Sequence, residues 1–161
     1  MLAHIAGVFS LCIAATIAGP IVARQACTNE MKINACKAEI QTIRSHSLAD
    51  AAKIPLAPLA TRTFYVTPSE LGGVTLPPIN VGITADTVRG ELVALATILN
   101  AGVPQGSDSY IVNPNGTVTS DFIQTDRVAL PSEQVREIHE FNDACQITKI
   151  TGYVHGKLLG L

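Results

Sequence analysis

The sequence predicts an α+β fold: a small single domain with about three helices and a short, mainly antiparallel sheet. Three observations carry this expectation. Apolar and turn-forming residues fall in the order helix, strand, helix, hairpin, helix, strand, which lacks the strict alternation of a doubly wound parallel sheet. Asn115-Gly116 between two β-branched runs marks an antiparallel hairpin. The 161 residues are 47% hydrophobic and 15% charged, and so low a charge content speaks against intrinsic disorder. With no Trp and 4% aromatics, the core has to be built from Val, Ile, Leu and Ala.

Residues 1–23 read as a signal peptide, followed by a single secreted globular domain over residues 24–161. Ile5 to Ala18 are almost wholly apolar and run into small residues and Gly19-Pro20, the pattern of a short apolar core ahead of a cleavage site. Cleavage fits after Ala18 and after Ala23, and the second keeps Pro20 away from the new N-terminus. The rival reading is a membrane anchor, since Ile5 to Val22 approaches spanning length. Pro20 interrupts that stretch, however, and no basic cluster follows it. Cys12 sits behind bulky Leu11, a poor setting for lipidation, and Leu158 to Leu161 is too short for a GPI signal. The leader, with its Ala23-Arg24-Gln25 junction, resembles those of small secreted proteins of filamentous fungi. That resemblance is confined to the leader and implies export alone.

The first helix is expected from Thr28 to Arg44, with Thr28 as N-cap, Glu30 in the first turn and Cys36, Ile40 and Ile43 on the apolar face. Ile54 to Leu59 holds two prolines and reads as an extended connector. Arg62 to Thr67 has strand composition and Pro68 ends it. Gly72-Gly73 and Pro77-Pro78 mark a loop with a short strand around Val74 to Leu76. Thr84 or Asp86 caps a helix reaching Asn100, whose Leu92 to Leu99 stretch is apolar nearly all round and predicts a central, buried element. The hairpin pairs residues 109–112 with 117–119. Pro131 opens a third long helix ending near Cys145, with Val135, Ile138, Phe141 and Cys145 as its apolar face. Gln146 to His155 forms one or two short strands broken at Thr151-Gly152.

Beyond the leader three cysteines remain: Cys27, Cys36 and Cys145. Export favours a disulfide. Cys27 and Cys36 are nine residues apart, about 13 Å along a helix, while a bridge needs Cα atoms within about 7 Å. Cys145 is therefore expected to pair with Cys36, with Cys27–Cys145 as the alternative. Asn115-Gly116-Thr117 is an N-glycosylation sequon in a turn.

Net charge is −2 without a basic run, so nucleic acid is not an expected partner. The stretch from Asp121 to Asp143 carries six acidic residues against Arg127 and Arg136, and reads as a solvated helix surface ahead of a binding face. His139 and Asp143 at i, i+4, with Glu140 beside them, offer two metal ligands. Zinc needs a third, which His155 supplies only through folding. Gly-x-Ser-x-Gly, Cys-x-x-Cys, phosphate-loop and His-Glu-x-x-His motifs are missing from the sequence. No catalytic, cofactor-binding or metal residue is assigned, and no cofactor is expected. The leading expectation is a non-enzymatic secreted binding or effector-like protein acting on an extracellular protein or cell-wall component, with no stable membrane span after leader removal. Two alternatives stand: a small secreted hydrolase using His139, His155 and nearby acids, and a carrier of a small apolar ligand lined by the Leu92–Leu99 helix.

Overall fold

The computed structural model describes residues 26–98, 100–125 and 133–156, so the signal-peptide reading of residues 1–23 lies outside the described residues. Helix α1 spans Asn29–Ser45, and the Thr28 hydroxyl caps it by accepting from the Met31 backbone N–H at 3.2 Å. It stops where His46 turns left-handed at φ 52°. A short helix α2, Leu48–Ala51, follows. Strand β1, Leu56–Pro68, then takes in most of the expected connector: Leu56, Ala57 and Ala60 are buried. Both prolines can sit there because Pro55 precedes the strand and Pro58 lies between the paired positions Leu56 and Thr61.

Strand β2 is Ile79–Gly82. The short strand expected at Val74 to Leu76 does not form: β2 pairs with β1 through Ile79, Asn80 and Gly82, beyond the Pro77-Pro78 pair. Helix α3, Ala85–Ile98, begins with the Thr84 hydroxyl accepting from the Thr87 N–H at 3.2 Å. Its buried stripe is Val88, Leu92 and Ala96, at a spacing of four. The helix is not buried all round, since Leu95 is 37% and Ile98 73% exposed. It lies on one side of the sheet only, so its second apolar face points away from it.

Strands β3 (Ser109–Val112) and β4 (Val118–Gln124) form the expected hairpin, with Gly116 at φ 84° in the loop. The segment beyond Pro131 departs most from expectation. Glu133–Phe141 is strand β5, paired antiparallel to β4 along seven positions, and no helix forms there among the described residues. β6 runs unbroken over Ile147–Gly156. Gly152 does not interrupt it: an added Cβ there would meet the Phe64 ring at 2.4 Å, so glycine is what lets that ring lie over the strand.

The six strands form one sheet in the order β2-β1-β6-β5-β4-β3, antiparallel except for the β1–β6 pair. The helices cover one face. Ile40 and Ile43 of α1 and Val88 and Leu92 of α3 pack with Ile54, Leu56, Phe122, Val135, Ile147 and Ile150 into a single aliphatic core. The domain is thus α+β, although the short α2 rather than a long helix at residues 131–145 makes up the third helix.

The disulfide joins Cys27 and Cys145, whose Cα atoms are 5.0 Å apart. The preferred pairing of Cys36 with Cys145 is not the one formed. Cys27 lies ahead of α1, beside the turn between β5 and β6, whereas Cys36 faces the core with Ile40 and is free and fully buried. Among the described residues no helix is long and apolar enough to cross a membrane.

Candidate functional site

Side chains alternate across a strand, and on the helix-covered face the inward positions include several charged ones. β1 points Arg62 inward, then Phe64 and Val66. β5 points Val135, Glu137 and His139 inward, and β4 places Ser120 opposite Glu137. From the helices, α1 contributes Glu39 and α3 contributes Glu91. Glu39, Ser120, Glu137 and His139 are fully buried, and Arg62 nearly so.

Arg62 is the hub. Its guanidinium donates to Glu91 Oε2 at 2.5 Å and to Glu137 Oε1 at 2.6 Å, and its Nε lies 3.5 Å from Glu39 Oε1. The Phe64 ring stacks beneath it at 4.4 Å, a cation–π contact. On the far side, His139 Nε2 meets Glu39 Oε2 at 2.5 Å and Nδ1 faces the Val118 carbonyl at 3.4 Å.

Burial opposes every charge in this group, so charged partners decide which ones persist. Burial raises the Glu137 carboxyl, and the nearby Glu39 charge raises it further against Arg62 and His139. Burial likewise raises Glu91, against Arg62. Glu39 goes the other way: burial works against its charge, but His139 and Arg62 outweigh it and hold the carboxyl below its usual range. Burial disfavours the His139 imidazolium, yet Glu39 raises it well above its ordinary value. Glu39 and His139 thus form an ion pair, and Glu137 is the carboxyl whose protonated form burial favours. Carboxylic acid, imidazolium and carboxylate side by side can give and take a proton, and can hold a polar group or a cation.

Five buried polar atoms here make no hydrogen bond among the described residues: Glu39 Oε1, Arg62 Nε, Glu91 Oε1, Ser120 Oγ and Glu137 Oε2. Beyond Arg62 the inward row continues through Phe64 and Val66 on β1 and Val154 on β6, all half-buried. The cluster therefore adjoins a row of half-buried apolar side chains.

A groove of about 940 Å³ opens on the opposite face of the sheet, lined among others by Asp121, Ile123, Arg136, Ile138 and Tyr153. Its ion pair is satisfied, with Arg136 donating to both oxygens of Asp121 at 2.7 and 3.3 Å. None of the five buried atoms without a hydrogen bond belongs to it. The interior cluster is the stronger candidate, because unmet hydrogen-bonding capacity in a dry place calls for an occupant and a wet groove does not.

The metal pattern of His139, Glu140, Asp143 and His155 is not assembled. On a strand, Glu140 faces away from His139 and pairs with Lys149 at 3.3 Å, and Asp143 lies in the β5–β6 turn. His155 pairs in register with Gln134 and points to the outer face, so a hydrolase built on His139 and His155 has its groups on opposite sides of the sheet. The acidic stretch is likewise no helix surface: Asp121 lies on β4 and Glu137 is buried. Sequence reasoning missed Glu39, Arg62, Glu91 and Ser120. The available signals were Glu39 inside the apolar stripe of α1 and the alternation of Val135, Glu137 and His139.

No protein-family model matches the chain, and no curated protein matches it. Solved structures do. A protein of unknown function with a cystatin-like fold from Methylobium petroleophilum PM1 aligns over 85% of this chain and 84% of its own, with a TM-score of 0.60 at 11% identity. AusH from Aspergillus nidulans aligns over 82% and 93%, with a TM-score of 0.53 at 11% identity. A steroid delta-isomerase from Pseudomonas aeruginosa aligns over 81% and 83%, with a TM-score of 0.52 at 14% identity. Likeness at these identities establishes a shared fold.

Proposed function

We propose that the chain is an exported binding protein that takes a small molecule into the interior between its sheet and its helices. The ligand's polar end meets Arg62 and Glu91, and its apolar body lies along Phe64, Val66 and Val154. One observation carries this reading: buried polar atoms that make no hydrogen bond gather around Arg62, beside a row of half-buried apolar side chains. Native interiors leave few such atoms, and an apolar pocket with a few convergent polar groups is the usual form of a small-molecule site.

The Cys27–Cys145 bridge supports export, since such bridges persist in oxidising compartments. Asn115 sits in an exposed hairpin loop and is the proposed glycan acceptor of the exported chain. The expected partner shifts from an extracellular protein or cell-wall component to a small molecule. The steroid isomerase among the structural neighbours supports ketosteroids as first probes.

The test is native mass spectrometry of protein recovered from the medium of a eukaryotic host, with thermal shifts against a ketosteroid panel. The expected species starts after residue 18 or 23, carries one disulfide and holds a small-molecule adduct lost on denaturation. Glu91→Gln should weaken retention at least several-fold. Retention in cells at full length overturns export. A ligand-free protein whose melting no ketosteroid raises overturns the binding reading.

A further inference from the structure

The inner side of the cluster carries a geometry that ligand binding at its more exposed side does not use. Oε2 of Glu39 and Oε2 of Glu137 both approach Nε2 of His139, at 2.5 and 3.9 Å. The donor atoms of these three residues lie within 4.8 Å of one another, and all three side chains are fully buried. Arg62 fixes the carboxylates from behind, reaching Oε1 of Glu137 at 2.6 Å and lying 3.5 Å from Oε1 of Glu39. The Val118 carbonyl stands 3.4 Å from Nδ1 of His139, which orients the ring with Nε2 toward the two carboxylates. A backbone carbonyl on one imidazole nitrogen is the support that metal-ligating histidines receive.

Two further observations point to an occupant. Ser120, which takes part in no ion pair of the cluster, is fully buried opposite Glu137, and its hydroxyl has no partner among the described residues. Glu137 Oε2 likewise makes no hydrogen bond and lies 3.9 Å from His139 Nε2.

We infer that Glu39, Glu137 and His139 form a binding site for one divalent transition-metal ion, held by two carboxylate oxygens and one imidazole nitrogen. Zinc suits this donor set. Bonds of about 2.0–2.2 Å place tetrahedral donors about 3.4 Å apart. The Glu137 contact then closes by about half an ångström and the Glu39 contact opens by about one. The ion takes the place of the proton in the Glu39–His139 hydrogen bond. Arg62 keeps its grip on the opposite oxygens, so the site goes beyond the ligand-binding reading and does not depend on it.

The full mature chain, ligand-free and stripped with a chelator, is titrated with Zn²⁺ by calorimetry. One ion per chain, bound at micromolar concentration or tighter with a rise in Tm, is the expected result. Glu137→Gln and His139→Gln should each weaken binding at least tenfold. Because both substitutions fall in the core, the coordination is also read in the unaltered protein by X-ray absorption at the zinc edge, where one imidazole with oxygen donors is expected. Two or more imidazoles would place the ion on the other histidines and overturn the site. So would an absence of binding, or equal affinity in folded variants.

Discussion

At the scale of single residues, Arg62 is the side chain on which most depends. It is the cation facing Glu39, Glu91 and Glu137, and it rests on Phe64. Removing one partner of a buried ion pair costs more than the pair contributes, because the remaining charges stay behind without compensation. Arg62→Met should therefore destabilise the domain by about 3–5 kcal/mol, read from the midpoint of urea unfolding at unchanged slope. A loss under about 1 kcal/mol, the range of an exposed pair, would show that the carboxylates are not confined as described. Local residue roles were legible in the sequence: Thr28 as cap and Gly116 in the hairpin loop follow from hydrogen bonding and backbone sterics within a few residues. Glu39 and Glu137 were not. A charged residue is read as exposed unless its partner is known, and the partner of Glu137 lies 75 residues away along the chain.

At the scale of elements, β5 separates what periodicity can and cannot decide. Val135, Ile138 and Phe141 recur every three residues and mimic a helical stripe, yet the strand buries Val135, Glu137 and His139. The apolar pattern failed because two of the three inward positions are polar, and they are polar because they belong to the interior cluster. The α3 periodicity was sound, but the extent of burial was not legible. An all-apolar surface does not reveal that only one face has a sheet to lie on. On β6, Gly152 holds open the place of the Phe64 ring, so Gly152→Ala should cost about 1–3 kcal/mol by overpacking. The same change should move Phe64 off the guanidinium and weaken retention of the proposed small-molecule ligand. Calorimetric melting and the ligand assay together check this. An unchanged Tm would mean that the ring yields freely.

At the scale of the whole molecule, the α+β class was legible from element order and from the hairpin. The path of the sheet was not, because nothing local says that β1 will lie beside β6. The bridge closes the longest loop in the structure, with its cysteines 118 residues apart. In the chain-entropy picture a loop of that size contributes up to about 5 kcal/mol. Cys27→Ser, or reduction of the intact protein, should lower Tm by several degrees and leave the interior cluster assembled; a Tm insensitive to reductant would contradict that contribution. The β1–β6 pairing sets a further condition, on timing. These neighbours inside the sheet are the first and last strands in chain order, so the sheet is completed only once the sixth strand has been made. Until the sixth strand arrives, β1 has β2 as its neighbour on one side and an open edge on the other. For that interval the open edge is a template for pairing with another chain.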